Sequence, residues 1–223
     1  MQTLTEKLIQ TGWAGRVLSQ AQLARLLDGT PQRRYNLVNR ALQHGELLQL
    51  RRGRYLLATQ LQNRMPHPFV LAQALQAGSY ISFETALSFH GWIPESVPVT
   101  LSVLPGRRRL EVDHPTFGLF RFYPLALRQG YFLEAVDRHT FAGPVGQVAL
   151  VAQPLRALLD IVCLRKLEVG SSMGNIGELM QSMRIDAELL TQTQPAAWQA
   201  LQRVYAHRRM ASAIQALQQE AAA

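Results

Sequence analysis

Four side chains able to read base edges, Gln32, Arg33, Asn36 and Arg40, fall within one nine-residue stretch, at spacings that a helix would bring to one side. Arginine can bind guanine bidentately, and asparagine or glutamine can bind adenine in the same way. Arg34 lies in the same run but projects nearer the apolar side. Further on, Arg51, Arg52 and Arg54 surround Gly53, a placement suited to phosphates or to an adjacent minor groove. These eight residues are the candidate nucleic-acid-binding set.

The charge distribution points the same way. Residues 1–64 hold ten basic and three acidic side chains, whereas the other 159 residues carry an excess of a single positive charge. So one-sided a field draws a polyanion to one end of the molecule and says little about fold. Nucleic acid is the first expected partner and an acidic membrane surface the second. A protein-interaction module whose basic end docks an acidic partner is a further reading.

Other chemistries fit less well. The histidines at 44, 67, 90, 114, 139 and 207 show no HExxH spacing, and the single cysteine, Cys163, supports neither a zinc finger nor a disulfide framework. Ser82, His90 and Asp160 can be written as a triad, yet Ser82 reads as a helix cap and His90 as a helix end, and a triad is defined by geometry. A nuclease needs carboxylates gathered around Mg²⁺ and commonly a nearby lysine. Asp113, Glu134, Asp137 and Asp160 are available, but Lys166 is the only lysine after residue 7 and is expected in a helix without an acid–x–lysine pairing. Asp160, four residues after Arg156, reads as an intrahelical ion pair, and Cys163 as a small core residue. Arg107 to Arg109 suit DNA, an acidic partner or a solvated loop. The expectation is no catalytic residue, no cofactor and no metal, with a nuclease-like defence effector as the enzyme alternative.

The elements that must position the basic residues are marked by local signals. A first helix is expected over 3–11, ending near Gly12. Ser19 with Gln22 forms a capping box, and Leu18 with Leu23 a hydrophobic staple, for a second helix that Asp28-Gly29 breaks. Thr30 caps a third helix with Pro31 at its first position. Along it Leu37, Val38, Ala41 and Leu42 share one face, and Gln32, Arg33, Asn36, Asn39, Arg40 and Gln43 the other. After Gly45, Leu48 and Leu50 alternate with Gln49 and Arg51, Arg52-Gly53 turns, and residues 54–57 return as a second strand. Two helices and a basic hairpin read as a winged helix-turn-helix whose third helix enters the major groove. The same arginines also suit an edge hairpin guarded against aggregation.

Residues 63–68 read as a proline-bearing link, dividing a DNA-binding domain, 1–64, from a larger α+β domain, 65–223, with helices at its end. In the second region a helix is expected over 69–77, another from Phe83 to His90, and strands over 97–103, 117–123, 131–136 and 147–151. A long apolar helix follows from Pro154, then a Gly/Ser-rich break over 169–175, and helices near 176–191 and from Pro195 to about 218. Nowhere do eighteen apolar residues run together, and the first 30 residues lack the unbroken apolar stretch of a signal peptide. A soluble cytoplasmic protein is expected.

Three stretches, in this order, resemble the AbiEi family of antitoxins and viral-defence regulators. They are Gly45-Glu46-Leu47 through Arg52-Gly53-Arg54-Tyr55; Tyr80-Ile81-Ser82-Phe83-Glu84-Thr85-Ala86-Leu87 with His90-Gly91; and Leu155-Arg156-Ala157-Leu158-Leu159-Asp160. The likeness spans most of residues 1–165, and the tail after about 170 shows no feature of the family. It implies a winged-helix domain that represses its own operon, joined to a domain with antitoxin activity against a nucleotidyltransferase toxin in a type IV toxin–antitoxin, or abortive infection, system. In the family neutralisation is generally described as indirect, so direct contact with the toxin stays open. Other relatives are stand-alone regulators on mobile elements. The implied partner is double-stranded operator DNA, an inverted repeat being the form that a dimer would read.

Overall fold

The computed structural model describes residues 3–61, 65–142, 147–167 and 176–222. Among these it is a mixed α and β structure with ten α-helices and two sheets. The chain forms two compact units, one of residues 1–77 with 140–149 and one of residues 78–139 with 150–223. This line runs differently from the 1–64 and 65–223 division expected above, because the helix at 68–75 and the 140–149 segment go with the first unit. The expected link residues Asn63 and Arg64, and the Gly/Ser-rich break over 169–175, lie outside the described residues.

In the first unit the order is α1 (Leu4–Gln10), β1 (Leu18–Ser19), α2 (Gln20–Leu26), α3 (Pro31–Gln43), β2 (Leu47–Arg51), β3 (Arg54–Leu57) and α4 (Pro68–Leu75). Each early helix starts on a side-chain cap. Thr3 and Glu6 form a capping box on α1, Ser19 and Gln22 one on α2, and the Thr30 hydroxyl accepts from the Arg33 amide ahead of Pro31 on α3. The three strands form an antiparallel sheet in the order β1-β3-β2. Leu4, Leu8, Leu18, Leu23, Leu27, Ala41, Leu47 and Leu57 form the core beneath, with Leu37, Val38 and Leu42 of α3 packed against it. In β2 the buried leucines are 47 and 50 rather than 48 and 50. A register shift between Gln49 and Arg51 inserts one residue and breaks the two-residue alternation.

The second unit is built around a six-stranded sheet in the order β6-β7-β5-β4-β9-β8. Its strands are β4 (Tyr80–Ile81), β5 (Thr100–Val103), β6 (Leu110–His114), β7 (Gly118–Tyr123), β8 (Val136–Thr140) and β9 (Val148–Ala152). β6 was not expected, and the strand looked for at 131–136 lies instead at 136–140. Both are edge strands in which exposed polar residues such as Glu111, Asp113, Asp137 and Arg138 interrupt the apolar ones, so neither shows an apolar run. α5 (Phe83–Phe89) follows β4, and α6 (Pro154–Arg165) is buried along every residue from Leu155 to Cys163.

The two helices expected at the end are four: α7 (Ile176–Ser182), α8 (Glu188–Thr191), α9 (Pro195–Gln202) and α10 (Arg208–Ala222). α7 stops where Arg184 turns left-handed (φ 53°) and the Ile185 amide reaches back to the Met180 carbonyl, a Schellman ending. The other break is a strand-like pairing. Arg128 donates its amide to the Val204 carbonyl and Ala206 donates to Ala126, taking residues 204–206 out of helix.

Candidate nucleic-acid interface

α3 presents two unlike sides. Leu37, Val38, Ala41 and Leu42 face the core, while Gln32, Arg33, Asn36, Arg40 and Gln43 are exposed. Gln32 donates from Nε2 to the Asn36 Oδ1 across one turn at 3.1 Å, so these two amides are held side by side. At Gly29 (φ 100°) a Cβ would stand 2.8 Å from the Arg33 Cδ. A side chain there would push on the Arg33 stem as well as strain the turn. Asn39, assigned to the outer face by periodicity, is half-buried beside the hairpin.

The other arginines divide by what they touch. Arg34 donates from Nε to the Gly29 carbonyl at 2.9 Å and from Nη1 to the Ala24 carbonyl at 3.0 Å, tying the α2 end to α3. Arg51 Nη1 donates to the Leu75 carbonyl at 2.7 Å and Arg54 Nε to the Ala74 carbonyl at 3.0 Å, satisfying the last carbonyls of α4. Arg52 is exposed at the turn, next to Gly53 (φ 75°). The Gly53 carbonyl accepts the Gln20 amide at 3.1 Å, which holds the hairpin tip against the start of α2. Gln32, Arg33, Asn36 and Arg40 thus share one face, Arg52 stands across a groove, and Arg34, Arg51 and Arg54 also serve the fold.

That groove, of about 480 Å³, is bounded by α2, α3 and the hairpin and lined by Gln20, Tyr35, Asn39, Arg52 and Tyr55 among others. Tyr35 is 60% exposed on the groove side of α3. It was missed because an aromatic ring beside an apolar face reads as core; its position on the helical wheel, off the Leu37–Ala41 centre, was the available signal.

In the second unit, a buried polar cluster takes up the residues that could have been chemical. Asp160, fully buried on α6, accepts from Arg156 Nε at 2.9 Å and Tyr205 Oη at 2.8 Å on one oxygen, and from Ser82 Oγ at 2.7 Å and Tyr80 Oη at 3.0 Å on the other. Arg156, also fully buried, donates further to the Glu134 carbonyl and the Tyr80 hydroxyl. Burial opposes its charge, but Asp160 and the flanking tyrosines outweigh that and hold it protonated, above the usual arginine value. Burial, aided by Asp160, lifts both tyrosines well above the ordinary phenol value.

Ser82 occupies the N-cap position of α5 but makes no capping bond, its hydroxyl being given to Asp160. The cap reading of its side chain is corrected accordingly. His90 ends α5 with Nε2 2.9 Å from the Ala152 carbonyl, so serine and aspartate meet directly with no histidine between them. Asp113 and Asp137 lie on β6 and β8, the two opposite edges of the sheet, and Asp137 accepts from Gln153 at 3.0 Å. Among the described residues no three His, Cys, Asp or Glu side chains are grouped to hold a metal. Lys166 follows α6 as a left-handed C-cap rather than lying within it, and burial raises the Cys163 thiol to about 11. No helix among the described residues is long and apolar enough to cross a membrane. No family model matches the chain, and no curated protein matches it.

Proposed function

We propose that the chain is a sequence-specific DNA-binding repressor whose reader is α3 and whose hairpin is a wing. The observation that carries this is the exposed Gln32, Arg33, Asn36 and Arg40 face on a helix whose opposite side is sunk in the core. The order helix, strand, two helices, then a two-stranded hairpin is compatible with a winged helix and supports this reading, and Arg52 at the tip suits a neighbouring phosphate. The excess of basic residues in the same stretch favours a polyanion.

The finer reading follows the short motifs that resemble the AbiEi family: an autoregulating antitoxin of a type IV system, with a nucleotidyltransferase toxin as functional partner. No catalytic step and no cofactor belongs to this reading. The test is selection of duplexes by the full chain from a random-sequence pool, followed by titration of the selected and scrambled duplexes at several salt concentrations. A selected sequence bound at least ~10³-fold more tightly than the scrambled one, with affinity falling steeply as salt rises, supports the reading. Equal affinity for both overturns sequence-specific repression, and Mg²⁺-dependent cleavage would favour the nuclease alternative. Relief of a co-expressed neighbouring nucleotidyltransferase's toxicity would support the antitoxin role.

A further inference from the structure

The groove of about 480 Å³ between α2, α3 and the hairpin holds side chains that the base-reading face does not use. Its lining includes two arginines, Arg34 and Arg52, and no carboxylate. Arg34 is committed to the Gly29 and Ala24 carbonyls. Arg52 is exposed and, among the described residues, has no ion pair. Gln20, Tyr35, Asn39, Gln49 and Tyr55 add neutral groups able to donate hydrogen bonds. Donors and a cation with no acid to oppose them suit an anion.

Tyr35 is the most open large side chain on this wall, at 60% exposure, and among the described residues its hydroxyl has no partner. It follows Gln32 by three residues and precedes Asn39 by four, so the three form one row along the flank of α3. The ring therefore stands beside the Gln32, Arg33, Asn36 and Arg40 face, on the side of the hairpin. A helix about 10–12 Å across fills a major groove about 12 Å wide, so each flank of a docked helix meets a sugar–phosphate strand. With α3 docked through its exposed face, the strand on the Tyr35 flank passes between α3 and the hairpin tip, over this groove.

We propose that one sugar–phosphate strand of the bound duplex lies along this groove, with Tyr35 Oη donating to a phosphate oxygen from one wall and Arg52 holding the strand from the other. The proposal rests on α3 being the reader and makes Tyr35 a positioning residue, which sets how the helix sits and reads no base. The test titrates the full chain and its variants against the selected and scrambled duplexes, and against selected duplexes in which one phosphate at a time is replaced by an uncharged methylphosphonate. Tyr35→Phe keeps the ring and removes only the hydroxyl, so both duplexes should be bound about 10-fold more weakly. Its melting temperature and salt slope should match the wild type, because no bond within the fold and no cation is lost. At one methylphosphonate position the wild type should weaken by a similar factor, and there Tyr35→Phe should bind as the wild type does. If the wild type prefers the selected duplex and Tyr35→Phe binds equally well, the inference falls while α3 remains the reader. A loss confined to the selected duplex, or the lack of any such methylphosphonate position, would also overturn it. No preference for any duplex by the wild type would remove the reading beneath it and the inference together.

Discussion

The two units offer examples of two opposite settings for arginine. In the first, Arg33, Arg40 and Arg52 are exposed on a helix face and a turn; in the second, Arg156 is completely buried against Asp160. An exposed guanidinium contributes little to stability by itself and is available to a partner. A buried one is expensive to desolvate and persists only where its surroundings satisfy it, as the Asp160 carboxylate, the Glu134 carbonyl and the Tyr80 hydroxyl do. The contrast separates arginines left at the surface from an arginine that holds the architecture, although both are the same amino acid.

The sharpest way to break this contrast is at the buried pair. Asp160→Ala leaves the Arg156 charge and three hydroxyls without their shared acceptor, and is expected to cost about 3–5 kcal/mol. Urea denaturation followed by circular dichroism measures it; a loss below about 1 kcal/mol would mean that the cluster is not what holds this unit together.

Next in size is the exposed face. Arg40→Ala and Asn36→Ala are each expected to lose about 1–3 kcal/mol on the selected duplex, with relaxed preference at one base position and unchanged thermal stability. Arg52→Ala should instead weaken selected and scrambled duplexes together and lower the salt slope. Equal losses on both duplexes for Arg40 and Asn36 would show that α3 is not the reader. Arg34→Ala tests the divide from within, since its two carbonyl bonds predict a stability loss accompanying any loss of DNA binding.

A smaller effect belongs to the capping box. Ser19→Ala removes the acceptor for the Gln22 amide and should destabilise the first unit by about 1 kcal/mol. The smallest is a pH dependence in the second unit. Burial holds the His90 pKa below the usual imidazole value, so the unfolded chain takes up a proton first as pH falls. Stability is therefore full above about pH 6.5 and declines as pH drops towards the folded-state value. His90→Gln should flatten that decline in denaturation curves collected between pH 7 and pH 5; an unchanged slope would assign it to other groups.

What could be read from the sequence follows the range of the interactions concerned. Ser19 with Gln22 and Thr30 with Pro31 act within three residues, so the starts of α2 and α3 stand where their residue types place them. The Arg156 to Asp160 pair was readable for the same reason, being four residues apart on one helix. Its other members were not, because Tyr80, Ser82 and Tyr205 lie between 45 and 80 residues from Asp160 and only the fold assembles them. Ser82 shows the limit: its type suits a cap, and a buried carboxylate took its hydroxyl. At the candidate interface, the division of α3 into two faces was readable. The engagement of Arg51 and Arg54 with the α4 carbonyls was not, since nothing local links a hairpin to a helix end 20 to 24 residues away.

The excursion of residues 140–149 into the first unit means that the chain crosses between the units three times, at 77–78, 139–140 and 149–150. Within that unit the Phe141 ring stacks on His67 at 4.0 Å, and the Gln147 side chain accepts the His67 amide at 3.1 Å. The N-terminal unit is consequently a discontinuous module. A single crossover or truncation after residue 77 would separate His67 from both partners, so an exchange that preserves this unit whole has to carry two separate stretches of the gene together.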